Sequence, residues 1–331
     1  MEKDLLQKRY LSDNERYADL INGFLFAGKQ VVSAKQLSEL DTQTGFWRIP
    51  GFSVKYRKGR QKYRDLIRKA AFGVNFAVFG IENQTEVDYL MPLRVMSYDI
   101  GEYEHQAEKQ RKIVRKQKGI SKAEFLSGFT KKDRLKPCIT LVLFYGENWD
   151  GSKRLHDILD FRDMPEELQT MVNDYRIFLF EIRKLTDMEV FRTDLKQVFS
   201  FMRYSNDKQK LRELVEQDQA YMEMEEDAYE AAAVFTGAKE LMDVKRFHEK
   251  GGKVDMCQAL NALIADGRAE GQMEELLRIT RTMAEKGLEA LDIAKFLDRP
   301  EEDTERMIEL VKSNPQKSNR ELAKEMMKQQ M

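Results

Sequence analysis

Cysteine and histidine are scarce in this 331-residue chain, which has two of the first and three of the second. Cys138 and Cys257 lie far apart in apolar surroundings, so we expect both to be buried as small hydrophobic side chains. Without a CxxC pair, a zinc site is not expected. His156, in "RLHDIL", is expected to pack or to be capped rather than to bind a metal.

Long hydrophobic runs are also missing. No apolar stretch approaches the roughly 20 residues that a membrane span needs, and the first ten residues, "MEKDLLQKRY", lack the apolar segment of a secretory signal. We therefore expect no membrane partner and, by default, a cytoplasmic location.

Charge is abundant, at 34% of residues, but it is unevenly divided. Residues 1–212 hold 39 Lys and Arg against 30 Asp and Glu, a net charge of +9, whereas residues 213–331 hold 17 against 27, a net charge of −10. The basic excess is greatest in residues 51–136 and includes the run "KQRKIVRKQK". Such a run forms either a solvated helix or a surface that faces phosphate groups.

The hydrophobic pattern predicts an α/β domain over residues 1–212. Apolar runs of strand length occur in "VNFAVFGIE", "PCITLVLFYG" and "DYRIFLFEIRKL", the last running into a helix that continues through "DLKQVFSFMRYS". Helical spacing separates them, and "SAKQLSEL" could add a short helix.

Residues 213–331 carry almost no strand signal and predict an acidic, all-helical region. We expect a hinge at the two glycines of "LIADGRAEGQMEELLRI", a break at Arg299–Pro300 and a frayed tail after Asn314. The two helices around Pro300 invite a helix-turn-helix interpretation, but the second is acidic. A small helical interaction module is favoured instead, and its charge could shield the basic half of the chain.

A possible site follows the first predicted strand of the "VFGIENQTEVDY" segment. Glu82 and Gln84 are two apart and therefore project to one face of the strand. A hairpin between this strand and the one containing Asp65 would place two carboxylates side by side, with the Asn83 backbone carbonyl between them. Such an all-oxygen pocket suits Mg²⁺ or Mn²⁺. The alternative is that Glu82 caps the next helix and Asp65 pairs with a basic neighbour.

The segments "YRDLI", "VFGIENQTEVDYLMPLRVMSYD" and "PCITLVLFYG", in that order, resemble the PD-(D/E)xK nuclease-like transposases, also called recombination-promoting or YhgA-like nucleases. The shared features are an E-x-Q after an apolar strand, an M-P-x-R helix and a strand ending in aromatic-Gly followed by Trp149, which we expect to be a packing anchor. The resemblance covers about residues 10–212.

The resemblance implies a restriction-endonuclease-like fold, a mixed sheet flanked by helices, with metal-dependent cleavage of DNA. Asp65 and Glu82 would be the metal ligands, Gln84 would replace the catalytic Lys of the wider superfamily, and Asp19 would be the acidic residue of the first helix. Asp13 and Glu15 are close rivals of Asp19. The chain also departs from the superfamily in having Arg64 where a Pro precedes the aspartate.

The basic surface of residues 55–136 is expected to hold the DNA backbone, with phosphate contacts at Lys55, Arg57, Lys62 and Arg94. The alternative for Arg94 is an ion pair with a Glu or Asp that orients its helix, and Tyr98, four residues later, is expected in the core.

Two functions follow from these expectations. The first is a DNA endonuclease of mobile elements or recombination, self-associating as a homodimer as many nucleases of this fold do; a host-defence or toxin-like role would use the same chemistry. The second is a DNA-binding scaffold that has kept the fold and lost efficient catalysis, an alternative that Gln84 keeps open.

Overall fold

A computed structural model describes residues 2–39, 66–72 and 75–330 of the chain. The chain divides into two units, residues 1–239 with 250–254 and residues 240–249 with 255–331. The sequence-based boundary at residues 212 and 213 lies earlier, and as a functional division it stays a prediction.

The first unit contains eight helices among its described residues: α1 (Glu2–Leu11), α2 (Asn14–Phe26), α3 (Met91–Val114), α4 (Lys122–Ser127), α5 (Glu166–Gln169), α6 (Leu195–Tyr204), α7 (Lys208–Gln217) and α8 (Glu226–Thr236). The strands of the described chain are β1 (Leu37–Glu39), β2 (Leu66–Phe72), β3 (Asn75–Gln84), β4 (Cys138–Phe144), β5 (Phe178–Glu181), β6 (Met224–Glu225), β7 (Glu249–Lys250) and β8 (Lys253–Val254).

A five-stranded mixed sheet organises the first unit, with the strand order β1-β2-β3-β4-β5. Strands β1, β2 and β3 pair antiparallel, whereas β3, β4 and β5 pair parallel. Strand β4 is buried from Thr140 to Phe144, as expected for an uninterrupted apolar run covered on both faces. The expected mixed α/β architecture is therefore confirmed.

The two faces of the sheet carry different helices. On one face, Met91 and Val95 of α3 pack in one cluster with Val142 and Phe144 of β4 and with Trp149. The indole of Trp149 meets the Phe144 ring edge-on at 5.2 Å and donates to the Gly151 carbonyl at 2.7 Å, which confirms the expected packing anchor.

Aromatic side chains bind helices α2 and α6 to the other face. The ring of Phe24 on α2 stacks on Phe180 of β5 at 4.2 Å, and it meets Phe191 at 5.3 Å. Phe191 in turn contacts Phe199 of α6 edge-on. These contacts place α2 and α6 against the core of the first unit, because rings packed in this way bury large apolar areas.

An arginine at the start of α2 joins three distant parts of the first unit. Arg16 donates to both carboxylate oxygens of Asp194 at 2.7 and 2.6 Å and to those of Asp227 at 2.5 and 3.0 Å. Its guanidinium also lies 4.3 Å from the centre of the Tyr10 ring. Burial would lower the pKa of Arg16, but the hydrogen bonds that it donates to the two carboxylates outweigh burial and raise the pKa.

The second unit is built from α9 (Lys239–His248), α10 (Met256–Glu285), α11 (Ala290–Leu297), α12 (Glu301–Ser313) and α13 (Asn319–Gln330). Its core joins α10, α12 and α13 through Leu277, Met307, Val311, Leu322 and Ala323. A mainly helical C-terminal region, with a break before Glu301, is confirmed. It is not all-helical as expected, because the short strands β6, β7 and β8 lie within residues 213–331 and form a small sheet.

Two expectations about this region were wrong. Helix α10 runs without interruption through Gly267 and Gly271, where a hinge was expected. The tail does not fray after Asn314, because Leu322 and Ala323 of α13 are fully buried. Packing against α10 and α12 thus holds α13 in place. Gly267 and Gly271 are tolerated because a glycine costs a helix only about 1 kcal/mol, which the favourable residues of α10 offset.

Other expectations also need correction. Segment "SAKQLSEL" forms a 3₁₀ turn, Ala34–Gln36, followed by β1 rather than a helix. Strand β5 does not run into α6, since α6 begins only at Leu195. Both Cys138 and Cys257 are half-buried rather than buried. Within the described residues, no helix is sufficiently long and apolar to span a membrane.

Candidate functional site

The candidate site lies where β3 ends. Glu82, Asn83 and Gln84 pair in parallel with Val142, Leu143 and Phe144 of β4. Residues that pair directly across neighbouring strands project to the same face, so the Glu82 and Gln84 positions lie on the face that α3 covers. The Glu82 side chain lies outside the described part of the structure.

Asn83 projects to the opposite face, where a tyrosine fixes it. The Tyr145 hydroxyl donates to Oδ1 of Asn83 at 2.8 Å, and the Tyr145 backbone N–H donates to the Gln84 carbonyl at 2.8 Å. Tyr145 is buried and its ring packs against Phe235 of α8, with 4.9 Å between ring centres. The last residues of β3 are therefore held in register, with Gln84 turned toward α3.

Arg94 lies in the first turn of α3 and is already engaged by protein groups. Its Nη1 forms an ion pair with Asp88 at 3.2 Å, and its Nε donates to the Tyr98 hydroxyl at 2.8 Å. Asp88 also accepts the Leu90 N–H at 2.9 Å, just before the helix begins. The alternative of a helix-orienting ion pair is thus present, and Tyr98 is buried as expected. The phosphate contact of Arg94 stays a prediction.

Asp19, the expected acidic residue of the first helix, is buried in α2. Its Oδ2 accepts the backbone N–H groups of Arg192 and Thr193 at 2.8 and 2.7 Å and the Thr193 hydroxyl at 2.7 Å. These bonds shape the turn that precedes α6, and among the described residues none leads to Gln84 or Arg94. Its rival Asp13 caps α2 by accepting the Arg16 N–H at 3.0 Å.

Glu181, which the sequence analysis missed, ends β5 at the same edge of the sheet. It pairs with Phe144, which itself pairs with Gln84, so all three positions share one face. Two strand spacings separate Gln84 from Glu181, about 10 Å. Burial raises the pKa of Glu181, but hydrogen bonds from Lys184 (2.6 Å) and the Trp149 N–H (3.2 Å) outweigh it and lower the pKa. The sequence "FLFE", in which an acidic residue ends an apolar strand, was the feature that could have identified Glu181 as a candidate.

A second residue that the sequence analysis missed is Asp99, which joins α3 to the sheet. Asp99 is buried and accepts the Thr140 hydroxyl at 2.6 Å, the Tyr175 hydroxyl, and the Cys138 thiol at 3.3 Å. Its position in the sequence, one residue after the buried Tyr98, places it on the inner face of α3. An acidic residue on the apolar side of an amphipathic helix was the only local feature in the sequence that indicated a buried role for Asp99.

Four of the predicted site residues, namely Asp65, Lys55, Arg57 and Lys62, lie outside the described residues, and their roles stay predictions. In the part of the chain that the structure describes, no group of three or more His, Cys, Asp or Glu residues is arranged to hold a metal ion.

His156 is packed, as expected. Its Nε2 lies 2.8 Å from the Val172 carbonyl oxygen, and its ring meets Phe161 edge-on at 5.0 Å. The adjoining Asp174 accepts the His156 backbone N–H at 3.0 Å and pairs with Arg154 at 2.5 Å. Desolvation raises the pKa of Asp174, but these bonds outweigh it and lower the pKa to about 2.

The fold and the site define a class of protein: a mixed α/β domain in which the central strand ends in E-x-Q and an M-P-x-R helix follows. The family described as "Putative transposase, YhgA-like" matches residues 58–232. This match spans more than half of the chain, and the protein belongs to this family. Searches of curated proteins and of solved structures found no match.

Proposed function

We propose that this protein is a divalent-metal-dependent DNA endonuclease with a restriction-endonuclease-like fold. The observation that carries the proposal is the register of the β2–β3 hairpin, in which Leu66 pairs with Ile81. If this antiparallel pairing continues by one residue, Asp65 faces Glu82. Directly paired residues have Cβ atoms about 5 Å apart, which suits two carboxylates that share one ion.

The backbone of β3 supports the third oxygen ligand. The Gln84 carbonyl accepts a hydrogen bond from Tyr145 and therefore points toward β4. Successive carbonyls of a strand point to opposite edges, so the Asn83 carbonyl points to the β2 side, where Asp65 would lie. Asp65, Glu82 and the Asn83 carbonyl would then supply the oxygen ligands that Mg²⁺ and Mn²⁺ prefer.

A divalent cation bound there would lower the pKa of a coordinated water and neutralise charge that develops on the phosphodiester. Gln84, on the same face as Glu82, would orient the attacking water by a hydrogen bond. Its amide is neutral, so it can position the water but cannot take its proton. Arg94 would exchange its Asp88 partner for a phosphate oxygen when DNA binds.

The transposase family supports DNA as the substrate. The basic excess of residues 51–136 supports binding through the phosphate backbone rather than through the bases. The identity of Gln84 favours the second candidate, a DNA-binding scaffold with weak or no catalysis, because the residue cannot stabilise developing charge as Lys would.

Plasmid nicking tests the proposal. Supercoiled plasmid is incubated with the protein and Mg²⁺, Mn²⁺ or EDTA, alongside Asp65→Ala, Glu82→Ala and the exposed-carboxylate control Glu86→Ala. We expect metal-dependent nicking by the wild type and the control, with a loss of at least a hundredfold in the other two variants. Gln84→Lys should nick faster.

Equal nicking by all variants would point to a contaminating nuclease and contradict the proposal. Binding of DNA without any nicking, in the presence of either metal, would favour the scaffold.

A further inference from the structure

An exposed basic segment at the far end of α3 belongs to the basic excess of residues 51–136 but contributes no residue to the candidate site. Residues 109–135, termed the basic lobe, comprise the last turns of α3, helix α4 and the loop after it. The lobe holds ten Lys and Arg residues but only two acids, Glu124 and Asp133. Seven of the ten basic residues precede the first acid in sequence, and ten positive against two negative side chains give the lobe a charge of about +8 at neutral pH.

Both acids are used to fold the lobe rather than to neutralise it. Glu124 accepts the N–H groups of Ser121 and Lys131 at 3.0 and 3.2 Å, and these bonds lower its pKa. Asp133 accepts the Thr130 N–H at 2.6 Å, which lowers its pKa, and it accepts the Gln110 amide at 2.8 Å. The bond between Gln110 and Asp133 thereby ties the loop to α3.

The cations of the lobe are left exposed. Within the described part of the chain, no Lys or Arg of the lobe forms an ion pair. Elsewhere on the surface, exposed Lys and Arg side chains do form ion pairs, for example Arg212 with Glu216. Exposed charge on a segment that is already folded favours binding of a polyanion, because little ordering entropy is lost on association.

Two apolar side chains are exposed at the tip of the lobe. Phe125 and Leu126 of α4 have 52% and 71% of their surface accessible. Lysines flank them in sequence on both sides, at Lys122 and at Lys131. Many proteins that bind the minor groove of DNA combine basic side chains with apolar side chains that insert between base steps.

The length of α3 gives the spacing between the lobe and the site. Arg94 and Arg115 are 21 residues apart, which corresponds to about 32 Å along the axis of a helix. One turn of B-DNA measures about 34–36 Å. The two ends of α3 could therefore contact the same side of one duplex about one turn apart.

We propose that the basic lobe is a second DNA-binding element, which holds the duplex about one helical turn from the candidate site through its lysines and the Phe125–Leu126 tip. This inference rests on the proposed function for its choice of DNA over other polyanions. The same combination of charge and apolar tip could bind an anionic membrane surface, and the experiment separates the two.

The test measures binding of a labelled 30-base-pair duplex by fluorescence anisotropy in EDTA, at 50 to 200 mM salt. The lobe variant carries Lys122→Ala, Lys131→Ala and Lys132→Ala. Its matched control removes three exposed lysines elsewhere in the first unit, Lys29, Lys35 and Lys208. A tip variant, Phe125→Ala with Leu126→Ala, is matched by Leu168→Ala with Met171→Ala, which are also exposed.

We expect the lobe variant to bind at least tenfold more weakly than the control at 0.1 M salt. The slope of log K against log salt should become shallower by about 1 to 3, since each phosphate contact contributes about 0.9. The tip variant should weaken binding with an unchanged slope. The gain in affinity from a 10- to a 30-base-pair duplex should shrink in the lobe variant, because its second contact is lost.

Equal affinity and slope for the lobe variant and its control would overturn the inference, provided that both keep the melting temperature of the wild type. Loss of binding to phosphatidylserine vesicles with unchanged DNA binding would overturn it in favour of a membrane. Lobe-dependent DNA binding by a protein that never nicks plasmid would uphold the inference while the proposed nuclease fails. If the wild type nicks plasmid but the lobe variant binds DNA as tightly as its control, the proposed nuclease is upheld and the inference about the lobe fails.

Discussion

Removal of Arg16 should destabilise the first unit strongly, although Arg16 precedes the region that matches the family. Its guanidinium makes two hydrogen bonds to Asp194 and two to Asp227, and 11% of its side chain is exposed. Arg16→Ala would leave two carboxylates facing each other without the cation between them. Breaking a buried ion pair by removing one partner costs about 3–5 kcal/mol. Asp227 is 37% exposed, so we expect a loss near the lower end, about 3 kcal/mol.

Urea unfolding followed by tryptophan fluorescence measures this loss. Trp149 is buried in the core of the first unit, so its fluorescence reports on the unfolding of that unit. Arg212→Ala is the control, since its ion pair with Glu216 is half-exposed and should contribute at most about 0.5 kcal/mol. A loss below about 1 kcal/mol for Arg16→Ala would refute the reasoning, because the network would then be no stronger than a surface pair.

Two further predictions concern the carboxylates that hold the loops and α3. Asp174 has a pKa of about 2 in the folded protein, below the unfolded value of about 3.9, so the stability it contributes is present above pH 4 and is lost as the pH falls toward 2. Asp174→Asn should flatten that part of the pH dependence in urea unfolding, and an unchanged profile would contradict it. Asp99→Ala should lower the free energy of unfolding by about 3 kcal/mol, because the Thr140 and Tyr175 hydroxyls lose their buried acceptor. If Asp99→Ala lowers the free energy of unfolding no more than Asp157→Ala, which removes an exposed Asp, this role of Asp99 is contradicted.

Local patterns sufficed for the elements that position the site. The apolar run before Glu82 predicted β3, and the M-P-x-R motif was expected on a helix, which is α3, beginning at Met91. Trp149 was expected to anchor the end of β4, and it does so through Phe144. In these cases a side chain's neighbours in sequence also determine its neighbours in space.

Contacts between distant residues were beyond such patterns. Arg16 meets Asp194 and Asp227, which are 178 and 211 residues away, and no local period indicates the pairing. The continuity of α10 through Gly271 was missed for a different reason. A glycine costs a helix only about 1 kcal/mol, which favourable residues over 30 positions can offset.

In the candidate site, too, local features were predictable from the sequence, whereas contacts between distant segments were not. The strand that carries Glu82 and Gln84, and the face they share, follow from alternation along the chain. Glu181 reaches that face only because β4 and β5 are parallel neighbours, and topology of this kind is not encoded in any one segment. The pairing of Arg94 with Asp88 was among the alternatives, whereas its Tyr98 partner was expected only in the core.

Binding of Mn²⁺ tests the central claim most directly, since it requires neither DNA nor catalysis. The electron paramagnetic resonance signal of free Mn²⁺ is titrated with wild-type protein, Asp65→Ala, Glu82→Ala and the control Glu86→Ala. If the two acids hold one cation, the wild type and the control should bind Mn²⁺ equally, and each of the other two variants should bind at least tenfold more weakly. Equal binding by all four proteins, or none by any, would contradict the account.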